Sequence, residues 1–125
     1  MLSRIEKAAN KADIHEICYL MFGRGSRVYR ALRIPNRAPD TVMHCVINNQ
    51  DVAMARLRRS ARDFHLLGYL HTHILSRAVP SEGDIKGWSA GTLLFIYSEL
   101  HKEFRAFRVV DKRPGYIEKR IILVE

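Results

Sequence analysis

Long apolar runs are missing from this chain. The longest, "TLLFIY" and "IILV", fall far short of the roughly 20 residues that cross a bilayer as a helix. The N-terminus, "MLSRIEKAANKADIHE", is broken by charges where a signal peptide needs a continuous apolar stretch, so a soluble cytoplasmic protein is expected. Cysteine occurs only at positions 18 and 45, too rarely for a disulfide framework and without the CxxC spacing of a thiolate zinc or redox site. Both lie in apolar segments, and the expectation is two buried thiols rather than a bridge. Absent too are an RGG tract, an aromatic-and-basic RNA signature, zinc-finger spacing, internal repeats and low-complexity linkers.

What is present is 125 residues, 47% hydrophobic and 27% charged, the length and balance of one globular domain spanning residues 1–125. The net charge is +8, and it comes mainly from arginine, 15 residues against six lysines. A basic surface suits nucleic acid or an acidic protein partner, and composition does not choose between them. The densest cluster is "ARLRRSAR", residues 55–62, which reads as a solvated helix face or a docking patch.

Periodicity outlines a mixed α/β domain. Residues 2–12 place Leu2, Ile5, Ala8, Ala9 and Ala12 on one helical face. "EICYLMFGRG" and "SRVYRALRI" read as two strands punctuated by Gly23, Gly25 and Pro35, and "TVMHCVIN" (41–48) as an extended segment. Asn49 is a candidate cap for a helix over "QDVAMARLRRSARD". "HLLGYLHTH" returns to strand, a short helix begins near Ser81, and three strands close the chain, "GTLLFIYSE", "FRAFRVVD" and "IEKRIILVE". The turn "DKRPG" separates the last two.

Within this frame His71 and His73 fall two residues apart on a strand, so both imidazoles face one point while Thr72 turns away. Ten residues separate His73 from Asp84, which lies in the first turn of the short helix and can swing back toward the strand end. Two histidines and a carboxylate are three N/O ligands, the number that a catalytic zinc takes from protein while leaving its fourth position to water. "SEGD" also fits a capping box, in which Ser81 caps the helix and Asp84 complements its dipole.

The full spacing, H-x-H-x(7)-S-x(2)-D at His71, His73, Ser81 and Asp84, resembles the signature of the JAMM/MPN metalloproteases. Ala78 and Pro80 ahead of the serine are similar to that family as well. So is "EICYLMFG", which matches its N-terminal motif E-x-C-G-L-L-x-G at Glu16, Cys18, Leu20 and Gly23. HExxH and the deaminase pair H-x-E with P-C-x-x-C are absent. The chain departs from the family at Ile74, where proline is common, and at Tyr19, where glycine is. Neither position is a ligand, so the departures bear on the substrate groove more than on the chemistry.

The resemblance implies a single JAMM/MPN domain of cytidine-deaminase-like α/β architecture, a curved mixed sheet flanked by helices. It implies one Zn2+ per chain on His71, His73 and Asp84, with Glu16 as general base and acid and Ser81 hydrogen-bonded to the oxyanion or to the zinc-bound water. The implied reaction is hydrolysis of the amide or isopeptide bond after the C-terminal glycines of a ubiquitin-like modifier or a sulfur-carrier protein. The positive charge suits an acidic substrate of that kind, laid as an extended tail beside a strand edge. Exposed strand edges also make a homodimer plausible. Two other readings remain, a non-catalytic MPN interaction scaffold and a basic nucleic-acid-associated protein; scaffolds of this family typically lose a zinc ligand, whereas all three are present here. His15 should point away from Glu16, His44, His65 and His101 read as ordinary residues, and Trp88 as a core anchor in the helix of Asp84.

Overall fold

The computed structural model describes all 125 residues. The first helix, α1 (Leu2–Lys11), buries Ile5 and Ala9, the same stripe that its periodicity marks. Strands β1 (Cys18–Arg24) and β2 (Arg27–Ile34) follow as an antiparallel hairpin, then α2 (Asn49–Arg56), β3 (His65–His73), α3 (Glu82–Lys86), β4 (Leu93–Ser98), β5 (Glu103–Val109), β6 (Tyr116–Lys119) and β7 (Ile122–Leu123). The seven strands form one sheet in the order β6-β5-β4-β3-β1-β2-β7. Pairs β3–β4 and β2–β7 are parallel and the others antiparallel, so the sheet is mixed. Only two residues join β6 to β7, yet these strands form opposite edges of the sheet. So short a link requires the sheet to curl until its edges approach.

Alternation along β1 divides the core. Tyr19 and Met21 pack with Ile5, Ala9, Val28, Leu70 and Phe95 on the α1 face. Cys18, Leu20 and Phe22 pack with Ile34, Val52, Ala55 and Ala61 on the α2 face. Covered on both sides, β1 is buried from Cys18 to Gly23, which is why it reads as an apolar run without polar alternation. The register of β1 against β2 shifts between Phe22 and Gly23, and a Cβ at Gly23 would lie 1.9 Å from the Arg27 carbonyl oxygen. Only glycine permits that approach.

Four expectations need correction. Residues 41–48 form no strand. Their backbone is tied instead by Asn36, whose Nδ2 donates to the carbonyls of Glu16 and His44 and whose Oδ1 accepts from Ala38 and Val46. One side-chain amide thus supplies partners that a neighbouring strand would otherwise provide. Second, Cys18 and Cys45 are not two thiols but a disulfide, which fixes the same loop to β1. Third, the cap of α2 is Asn48, accepting from Gln50 and Asp51, and the helix ends at Arg56 because residues 57–64 continue as successive turns. Fourth, "IEKRIILVE" is not one strand, since it crosses between the two sheet edges as β6 and β7. No helix is long and apolar enough to cross a membrane.

Candidate metal centre

The pleat of β3 sets the site. Leu70 belongs to the α1 face, and Tyr69 packs with the α2 face, so His71 and His73 share the α2 side with Tyr69. Thr72 points the other way and is fully buried, with its Oγ1 accepting from the Ile17 amide at 3.0 Å. Both histidines are 7% exposed, at the end of a central strand flanked by β1 and β4. From His73 the chain turns through residues 74–80 into α3. There Ser81 and Asp84 close a reciprocal capping box: Ser81 Oγ accepts from the Asp84 amide, and Asp84 Oδ2 accepts from the Ser81 amide. The box does not compete with metal binding. It aims the Asp84 carboxylate at the histidines, with Oδ1 3.2 Å from His71 Nε2 and Oδ2 3.2 Å from His73 Nε2.

The two Nε2 atoms stand 3.1 Å apart. Nδ1 of His73 lies 2.8 Å from the Arg77 carbonyl oxygen, which can only accept, so Nδ1 carries a proton and Nε2 is the nitrogen whose lone pair is left for a metal once its own proton is gone. Ligand atoms bonded to a tetrahedral zinc at about 2.0–2.1 Å stand roughly 3.3 Å from one another. The spacing and the N/O donor set of His71, His73 and Asp84 therefore fit such an ion, and the three residues offer ligand atoms all within 4.8 Å of one another.

Electrostatics agree with a site built for positive charge. Burial pushes the Asp84 carboxyl up, but its hydrogen bonds with His71 and His73 outweigh this and hold it well below the usual carboxylate range. Burial lowers the His73 pKa, yet the Asp84 carboxylate and the Arg77 carbonyl more than offset that and raise it above the ordinary value. Glu16 behaves differently. Burial raises its pKa above 4.5, opposed in part by His71 and His73, so its ionisation is coupled to the same group. It lies just before β1, two residues ahead of Cys18, which pairs with His71. Its backbone is fixed at both ends: the amide donates to Thr41 at 2.7 Å, and the carbonyl accepts from Asn36. An open cleft of about 620 Å³, lined by His15, Glu16, Arg33, Asn36 and Thr41 among others, includes Glu16 but none of the three donors.

His71, His73, Ser81 and Asp84 thus meet, with Glu16 beside them. His15 turns away to Thr41 Oγ1, at 2.6 Å, and His44, His65 and His101 are exposed. Trp88 lies beyond the end of α3, half-buried and stacked on Tyr69 with ring centroids 4.3 Å apart, rather than anchoring the core from within that helix. Sequence reasoning missed the supports. Asn36 carried only the turn signal of its place after Pro35, and nothing in the sequence marked Glu103, which binds the Arg77 side chain and the Ala78 amide.

Comparison with known proteins agrees with this geometry. Residues 1–110 match the family model for prokaryotic homologues of the JAB domain. The desampylase of Pyrococcus furiosus is 22% identical over 111 residues, 89% of this chain and 78% of that protein. The solution structure of a protein from Desulfitobacterium hafniense superposes with a TM-score of 0.79 at 23% identity, covering 99% of this chain and 88% of the other. A structure that presents JAMM as a metalloprotease-like zinc site in the proteasome and signalosome superposes with a TM-score of 0.56 at 17% identity, covering 99% and 91%. At these identities the structural likenesses speak for the fold, a mixed, curled α/β sheet. With the family match over most of its length, the chain belongs to the prokaryotic JAB-domain group of the JAMM/MPN family.

Proposed function

We propose that this protein is a zinc-dependent peptidase or isopeptidase. Its substrate is the amide or isopeptide bond after the C-terminal glycines of a ubiquitin-like modifier or sulfur-carrier protein. The observation that carries the reading is the convergence of His71, His73 and Asp84, with the two Nε2 atoms 3.1 Å apart and each 3.2 Å from one oxygen of the Asp84 carboxylate, and with a half-buried glutamate, Glu16, coupled to them. The family and the desampylase relative support a metallo-hydrolase of this class. A zinc ion held by His71, His73 and Asp84 supplies Lewis acidity toward a water molecule and the scissile carbonyl.

The remaining work falls to the chain's own residues. Glu16 takes the proton of the attacking water on its carboxylate and returns it to the leaving nitrogen. Its raised pKa makes it a stronger base than an exposed glutamate and a competent acid afterwards. In the capping box Ser81 Oγ acts only as an acceptor, so its O–H is left to donate to the developing oxyanion. The Arg77 carbonyl keeps His73 in one tautomer throughout.

The test is the metal content of purified wild type and Asp84→Ala by elemental analysis, paired with hydrolysis of a ubiquitin-like protein fused through its terminal Gly-Gly. The expected result is about one zinc per wild-type chain, its loss in the variant, and cleavage only by the loaded wild type. A wild type that takes up no zinc after reconstitution refutes the reading.

A further inference from the structure

Two segments far apart in sequence, residues 24–30 and 56–63, hold seven of the 15 arginines and a single acid, Asp63. The structure joins them into one surface. The guanidinium groups of Arg24 and Arg30 lie 5.2 and 5.5 Å from the centroid of Phe64, Tyr29 stacks on the same ring at 5.1 Å, and Arg24 donates to the Asp63 carbonyl. All seven arginines are exposed, and none forms an ion pair, whereas Arg37, Arg77 and Arg105 do. Two of these charges, on Arg24 and Arg30, are held against one ring, and none of the seven is neutralised by an acid, so the surface attracts an acidic partner.

Its position relates it to the metal centre. Gly23, beside Arg24, pairs with His65 at the start of β3, while Cys18 pairs with His71 at the other end. Six strand residues, or roughly 20 Å, separate the two ends. Both lie on one face of the sheet: Arg30 pairs with Phe22, which packs under α2 with Tyr69, and Tyr69 shares its face with His71. Between them Leu66 and Tyr69 are half-buried and uncharged, packed against the α2 cluster with Trp88 stacked on Tyr69, so a chain joining the two ends passes along the outside of this cover. The sheet's free edges belong to β6 and β7, and β3 is paired on both sides by β1 and β4, so a tail reaching His71 and His73 does not add to an edge of β3.

Resting on the hydrolase reading above, we infer that the arginine patch docks a carboxylate-rich face of the modifier's folded body, while about six residues of extended tail span the distance to the metal centre. Arginine forks match carboxylates in paired hydrogen bonds, and a basic patch steers an acidic partner before contact. Single-stranded nucleic acid fits less well. It gains affinity by stacking bases on free aromatic faces, and Phe64 already carries two guanidinium groups and Tyr29.

The test uses the double variant Arg58→Glu/Arg62→Glu, since neither side chain makes a hydrogen bond or ion pair within the fold and thermal melting should not change. Two substrates carry the same fluorescent amine on a terminal Gly-Gly, an acidic ubiquitin-like protein and its six-residue tail peptide. The expected result is a KM for the protein substrate raised at least about tenfold at unchanged kcat, with kcat/KM for the peptide unaffected. An unaltered KM for the protein substrate, or an equal loss on both substrates, overturns the dock. If the wild type cleaves neither, the hydrolase reading has failed on its own, and the dock is then read by fluorescence anisotropy. Binding of the acidic protein that is lost in the double variant upholds it; binding of a single-stranded oligonucleotide without binding of the protein overturns it.

Discussion

His73 donates from Nδ1 to the carbonyl oxygen of Arg77 at 2.8 Å, so the orientation of one donor depends on the path of the loop that follows it. That path is pinned from the neighbouring strands. Glu103, at the start of β5, accepts from Nε and a terminal nitrogen of Arg77 and from the Ala78 amide, while Ser98 on β4 donates to the Ser76 carbonyl. The guanidinium of Arg77 and the Ala78 amide pull the Glu103 pKa down to about 2. The carboxylate is therefore ionised throughout the neutral range.

Glu103 is accordingly a positioning residue. Glu103→Ala should leave the fold intact and weaken metal binding about tenfold or more, the scale on which supports behind metal-bound histidines act. Competition against a chromophoric chelator reads this directly. Zinc affinity equal to wild type would show that Arg77 holds its carbonyl in place without help.

Under the proposed function Asp84 and Ser81 each carry a second role besides the capping box, and substitutions can separate the two. Asp84→Asn keeps an oxygen that can accept from the Ser81 amide but loses the charge that offsets a cation. It should lose its zinc while α3 keeps its cap. Ser81→Ala removes the cap of α3, which costs about 1 kcal/mol. Loss of an oxyanion donor costs roughly 100-fold or more in kcat. A variant that melts lower but turns over at the wild-type rate would leave Ser81 with the cap alone.

The pattern of α1, β1, β3 and β4 was legible because each is set by local periodicity and one buried face. The donor set was legible for a related reason: His71 and His73 obey the strand's period of two, and Ser81 and Asp84 obey the three-residue spacing of a capping box. What escaped depends on contacts that no local pattern shows. The Cys18–Cys45 bond spans 27 residues and exists because Asn36 folds the 41–48 loop back over β1. "IEKRIILVE" has strand propensity along its length, and only the curl of the whole sheet decides that it serves both edges. Glu103 supports His73 from 30 positions away, through a carbonyl that any residue at Arg77 would carry.

Glu16 gives the sharpest pH prediction, because burial first of all holds its pKa above 4.5. A carboxyl whose folded pKa exceeds its unfolded value binds more protons when folded, so metal-free wild type loses stability as pH rises from the unfolded pKa through the raised one. Glu16→Gln cannot ionise and escapes that loss. Urea denaturation of the two proteins in the presence of a chelator should therefore give similar midpoints near about pH 4 and a higher midpoint for the variant near about pH 7. The same variant should keep its zinc and lose about 100- to 10,000-fold in kcat, the range attributed to a general base. Equal midpoints at both pH values would mean that the carboxylate is solvated and not held ready as a base. Undiminished turnover would assign the proton transfer to another group.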